Sequence, residues 1–139
     1  MTLVVVDQAE KHFLDLILGV NYTLRLFKND VTSGLTATQI DALTEASFTE
    51  ADFVGYASKA LTGGSWTTTA GNPCSGSYAQ QTFTRTSTGT QQTVYGYYVT
   101  RTSGGALEWF EYFTAPVLIE FINEFITVTP RITLSDTGD

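Results

Sequence analysis

One cysteine, one histidine and seven basic side chains are all that this chain of 139 residues holds of those three kinds. A lone Cys74 excludes an intramolecular disulfide and lacks the Cys and His neighbours of a zinc site. A lone His12 excludes a His pair on a metal and leaves any His-based triad with one imidazole. The seven Lys and Arg stand against fourteen Asp and Glu, a net charge of −7. A surface of that sign repels phosphate backbones, so no nucleic-acid partner is expected. No apolar run approaches the ~20 residues of a membrane-crossing helix, so no membrane partner is expected either. Met1–Val6 is apolar, but no basic region precedes it and no cleavage motif follows, so it does not read as a signal peptide. Charged residues make up only 15% and hydrophobic ones 42%, which is too apolar a balance for a disordered chain.

What is present is Thr, Tyr and Phe in a length that suits one domain. The stretch Gln91–Arg101 carries the clearest pattern. Thr93, Tyr95, Tyr97 and Val99 alternate with Val94, Gly96, Tyr98 and Thr100. β-Branched and aromatic residues at period two predict a central antiparallel strand packed on both faces. Gly96 in its middle marks a bulge or the close approach of a neighbour.

Before it, Leu3–Val6 is a short apolar arm. Asp7 and Glu10 stand in capping-box spacing, and Ala9, Phe13, Leu16 and Ile17 form a stripe of helical period, predicting a helix over Gln8–Leu18 closed by Gly19. His12 lies at the stripe's edge and reads as a helix-surface residue. Tyr22–Lys28 alternates as a strand, and Thr36 with Gln39 predicts a capped helical turn through Leu43. Phe48–Tyr56 fits either a helical turn or a strand. Lys59–Thr62 and Ser65–Thr69 read as a hairpin around Gly63-Gly64, and Ala70–Ser77 as loop. Tyr78–Thr86 is a polar strand anchored by Phe83. In Leu107–Phe113, Leu107, Trp109, Glu111 and Phe113 share one face, and Pro116 interrupts. Val117–Phe121, Phe125–Thr129 and Arg131–Leu134 read as strands, although Leu118, Ile122, Phe125 and Ile126 also fall at helical spacing. About eight short strands at regular spacing predict an antiparallel β-barrel or jelly-roll sandwich with one N-terminal helix. The division is an arm and helix over 1–19, a β domain over 20–134 and an acidic tail over 135–139.

Catalytic constellations are hard to assemble. Glu108 and Glu111 are an odd number of positions apart and point to opposite sides of a strand. Glu50 and Asp52 share a strand face but sit among Thr and Ala, where a solvated edge is the simpler reading. Cys74 has no base or cation near it in sequence. No phosphate-cradling Gly motif occurs, and no cofactor is expected. Asn21-Tyr22-Thr23 matches a glycosylation acceptor by chance. The aromatics Trp66, Tyr78, Tyr95, Tyr97, Tyr98, Trp109 and Tyr112 fit a sugar-binding face, or core and intersubunit packing, which is the usual case in an alternating sandwich.

Four blocks together resemble small virion proteins of tailed phages, including phages of cyanobacteria. They are Thr23-Leu24-Arg25-Leu26-Phe27-Lys28-Asn29-Asp30-Val31-Thr32, Phe48 to Ala57, Val94 to Thr100 and Leu107 to Phe113, in that order. The chain departs from the pattern after Pro116, where Asn123-Glu124 replaces a Gly-Asp turn. The resemblance implies a capsid decoration, or cement, protein. It implies a β-barrel or jelly roll on the outside of an icosahedral shell, a homotrimer, with the major capsid protein as partner and no enzymatic activity. A tail- or fibre-associated module that binds a receptor or glycan is the alternative. The candidate interface residues are the arm Leu3, Val4, Val5 and Val6, with Phe13, Trp66, Tyr97 and Trp109. Four consecutive apolar residues of strong β preference either add to the chain's own sheet or to a neighbour's.

Overall fold

The structure, a computed structural model, describes residues 4–134. The fold is mainly β with one N-terminal helix, and every strand pairing is antiparallel. A four-stranded sheet holds, in order, β2 (Lys59–Leu61), β1 (Tyr22–Phe27), β6 (Gln92–Arg101) and β7 (Leu107–Ile119). A three-stranded sheet holds β3 (Thr67–Thr69), β4 (Cys74–Ser77) and β9 (Arg131–Leu134), and a two-stranded one holds β5 (Gln81–Thr84) and β8 (Phe125–Val128). The arrangement is sandwich-like and does not close into a barrel.

The expected central strand, β6, lies inside the four-stranded sheet and is covered on both faces. Its alternation is not continuous, however. Val94, Tyr97 and Val99 enter the main core, whereas Tyr95 and Tyr98 enter a second cluster with Phe27, Val31 and Phe48. The phase slips at Gly96. There β7 carries Phe113–Pro116 opposite Tyr95 alone, between the pairs Val94–Val117 and Gly96–Tyr112. A Cβ on Gly96 would lie 2.2 Å from the carbonyl oxygen of Glu111 and 2.7 Å from Cα of Tyr112. Close approach and irregularity therefore coincide, as a strand glycine suggests. A second irregularity between Val99 and Thr100 leaves Glu108 unpaired and turns Leu107 to the second cluster, away from the face of Trp109 and Phe113. Pro116 does not end β7, because β7 is an edge strand and an edge tolerates a missing N–H.

The helix α1 spans Asp7–Ile17, and its N-cap is Val6 without a side-chain cap. Asp7 is the first helical residue rather than the cap. Glu10 does not reach back to it; its side chain is buried. Leu14 and Leu18, with Glu10, seat the helix against β3 and β4. Burying two leucines favours docking by roughly 1.5–3 kcal/mol each. Gly76 makes the seat: a Cβ there would fall 2.5 Å from Cδ1 of Leu18. This is why Cys74–Ser77, read from its Gly, Pro and Ser as loop, is a strand under the helix.

Two further readings change, and one holds. The segments around Gly63-Gly64 are not a hairpin, since β2 pairs with β1 and β3 pairs with β4. The Gly63-Gly64 turn hands the chain from one sheet to another. The stretch after Phe48 is neither helix nor strand but runs beside β1, with the amide of Lys28 donating to Thr49 O and that of Ala51 to Leu26 O. The capping box of Thr36 and Gln39 forms as expected and opens α2 (Ala37–Asp41).

Candidate functional surfaces

The apolar stripe of α1 faces outward at Phe13, Leu16 and Ile17. Phe13 is 50% and Leu16 62% exposed. Val6 and Val20 continue the stripe at either end of the helix, also exposed. The helix carries apolar residues on two faces, and the Leu14–Leu18 face is the one the sheet takes. Of the arm ahead of it, residues 4–6 pair with no strand among the described residues: Val4 and Val6 are exposed, and Val5 is half-buried. Leu3 lies outside the described residues, as does the tail 135–139.

The aromatic candidates go elsewhere. Tyr97 is buried in the chain's own core and also lines a depression with Glu111 and Phe113. Its hydroxyl donates to Oε2 of Glu111 at 2.7 Å. Trp66 and Trp109 are half-buried and meet each other and Tyr22 edge-to-face, with centroids 5.3–6.5 Å apart. They are core aromatics of the usual geometry. His12 is exposed on α1. Cys74 is buried, its thiol raised above its ordinary pKa by that burial, and it donates to Thr69 O.

Two features went unread in the sequence. The first is Arg85, 1% exposed. Its guanidinium donates to the carbonyls of Ser87, Gly89, Thr90 and Ile119. The backbone of Arg85 in turn bonds Asn123 and Glu124. One residue thus ties the β5–β6 turn to the β7–β8 turn. In that second turn Asn123 has φ +70°, and the Glu124 carboxylate accepts from the amides of Glu120 and Phe121. The turn projects Phe121 (63% exposed) and Ile122 (47%). Asn-Glu therefore forms a tight reversal where the resemblance leads one to expect Gly-Asp, because Asn is among the few side chains that accept left-handed backbone.

The second feature is a groove along the outer edge of β7. Three depressions adjoin one another. One of about 260 Å³ lies between Val117 and Phe125, one of about 280 Å³ between Phe113 and Thr127, and one of about 340 Å³ between Trp109 and Thr133. Glu111 and Arg131 line the last two, and their side chains bridge across at 2.8 Å. Among the described residues no backbone hydrogen bond joins β7 to β8 or β9.

Among the described residues no group of three or more His, Cys, Asp and Glu is placed to hold a metal. No helix there is long and apolar enough to cross a membrane. Comparison with family models, with curated proteins and with solved structures finds no match in any of the three.

Proposed function

We propose that this chain is a non-enzymatic virion structural protein, a capsid decoration (cement) protein that stabilises an icosahedral shell by binding the major capsid protein as a homotrimer. The observation that carries the proposal is the outward apolar face of α1, with Phe13 and Leu16 half or more exposed on a helix already seated by Leu14 and Leu18. A contiguous apolar stripe on a surface helix is the kind of patch that marks an interaction site. The resemblance of the four sequence blocks supports the virion setting. A net charge of −7 suits a protein on the outside of a shell rather than one against packaged nucleic acid. A cement protein needs no reaction chemistry; it acts by binding the assembled state in preference to free subunits.

A glycan-binding tail or fibre module is a second reading, favoured by one observation. Trp109 and Phe110 line the depression that also holds Glu111 and Arg131. It is weaker, because the Trp109 ring is engaged with Tyr22 and Trp66. Copy number in purified particles separates the two. Hundreds of copies per particle are expected; a handful would transfer the protein to the tail.

A further inference from the structure

The groove beside β7 is walled by the edge of β7 on one side and by β8 and β9, each from another sheet, on the other. Among the described residues β7 pairs only with β6, β8 only with β5, and β9 only with β4. The residues that share each depression run antiparallel across it: Val117 with Phe125, Phe113 with Thr127, and Trp109 with Thr133. From Trp109 to Val117 the edge runs beside Val99 to Val94 of β6, with Phe113–Pro116 bulged out, so it is roughly 17 Å long at strand rise. Tyr97 and Val128 of the core contribute to its lining. An open edge of this length between apolar side chains is an uncommon feature, because it templates the addition of a further strand.

The chain also carries an apolar arm that joins no sheet among the described residues. Val4–Val6 pairs with nothing among the described residues; Val6 has φ −85° and ψ 152°, extended geometry. We propose that the groove is a strand-accepting slot, and that its occupant is the arm Leu3–Val6 of a second copy of this chain. Charge selects this occupant. Copies carrying −7 each repel through most of their surfaces, but residues 2–6 hold no charged side chain. The slot's ionic side chains, Glu111 and Arg131, neutralise each other. Their side chains are 40% and 68% exposed, so the bridge opens toward solvent. The arm's main chain then takes hydrogen bonds from the slot edges, and alternate valines fill the depressions. Arm-into-slot contact is head-to-tail, so it builds a ring when the rotation closes. The slot deepens the homotrimer proposed above but needs no shell, so it is tested on the free protein, whereas shell binding is tested by copy number in particles.

Cross-linking of the full chain tests it. Val5→Cys and Thr127→Cys are made as separate proteins, mixed and oxidised, with Ser103→Cys replacing Thr127→Cys as the exposed control. A disulfide-linked heterodimer from Val5→Cys with Thr127→Cys, at least tenfold above the control, is expected. Yields equal to the control would overturn the proposal. Light scattering of Val4→Asp and of a chain lacking residues 1–5 gives an independent reading. The deletion keeps Val6, whose carbonyl accepts the first helical amides. Both variants are expected to be monomers with an unchanged circular dichroism spectrum. Oligomers that persist in both would exclude the arm as occupant, and so would a wild-type chain that is monomeric at every concentration.

Discussion

Arg85 Nη1 donates to the carbonyl oxygen of Ile119 at 3.2 Å, across 34 residues of chain and out of contact with solvent. Each of the guanidinium's four hydrogen bonds in the structure ends on a main-chain carbonyl. A buried cation is thus held by oriented dipoles, and those carbonyls depend on it in turn. Arg85→Ala leaves several buried acceptors unpaired, at roughly 1–3 kcal/mol for each that water cannot reach. We expect a loss of about 3–5 kcal/mol in urea unfolding, with Arg85→Lys recovering only part, because an ammonium lacks the planar fork. A loss below about 1 kcal/mol would show that the carbonyls find other partners.

Gly96 offers a sharper steric test. A Cβ there would collide with the backbone of Glu111 and Tyr112 and with the ring of Phe27. Backbone cannot step aside as a flexible side chain can, so Gly96→Ala is expected to cost about 3 kcal/mol or more. The loss should appear as a fall in the urea midpoint. An unchanged midpoint would mean that the β6–β7 irregularity relaxes freely.

Acid should weaken the slot's bridge. Partial burial pushes the carboxyl of Glu111 up, but hydrogen bonds from Arg131 and Tyr97, with the charge of Arg131, outweigh it and hold the group below its ordinary 4.5. A carboxylate lowered in the folded state contributes stability that is complete above pH 4.5 and is lost as pH falls through the folded value. The stability gap between wild type and Glu111→Gln is therefore expected to shrink as pH drops from neutral to about 3. A gap that is flat with pH would contradict the assignment.

Much of the sheet was legible, and the reason is β6. Its apolar and aromatic period held over enough residues to fix a two-faced central strand. The errors came where a single residue changes the phase. Gly96 marks the irregularity, but that Tyr95 leaves the side of Tyr97 depends on Phe113–Pro116 of β7, which the alternation of Gln92–Arg101 does not contain. Periodicity also cannot choose between two apolar helix faces. Leu14 and Leu18 were taken because Gly76 leaves room for them, which only the paired sheet reveals. Arg85 looked like one more polar residue in a polar strand. Its role depends on Ile119 and Thr90 arriving from elsewhere.

Cys74 gives a simple check on the seat of α1. Its thiol is buried, and burial raises its pKa. A thiol reagent is expected to label the native protein at least a hundredfold more slowly than the unfolded one. Fast labelling of the native chain would mean that the seat around Cys74 opens readily.

The most direct measurement is co-sedimentation of the purified protein with shells that lack it. Wild-type protein should sediment with the shells in saturable amounts, at hundreds of copies each. Phe13→Asp and Leu16→Asp alter exposed positions, so they should fold with stability within about 0.5 kcal/mol of wild type. Both are nevertheless expected to stay in the supernatant. Failure of the wild type to sediment, or undiminished binding by both variants, would contradict the account.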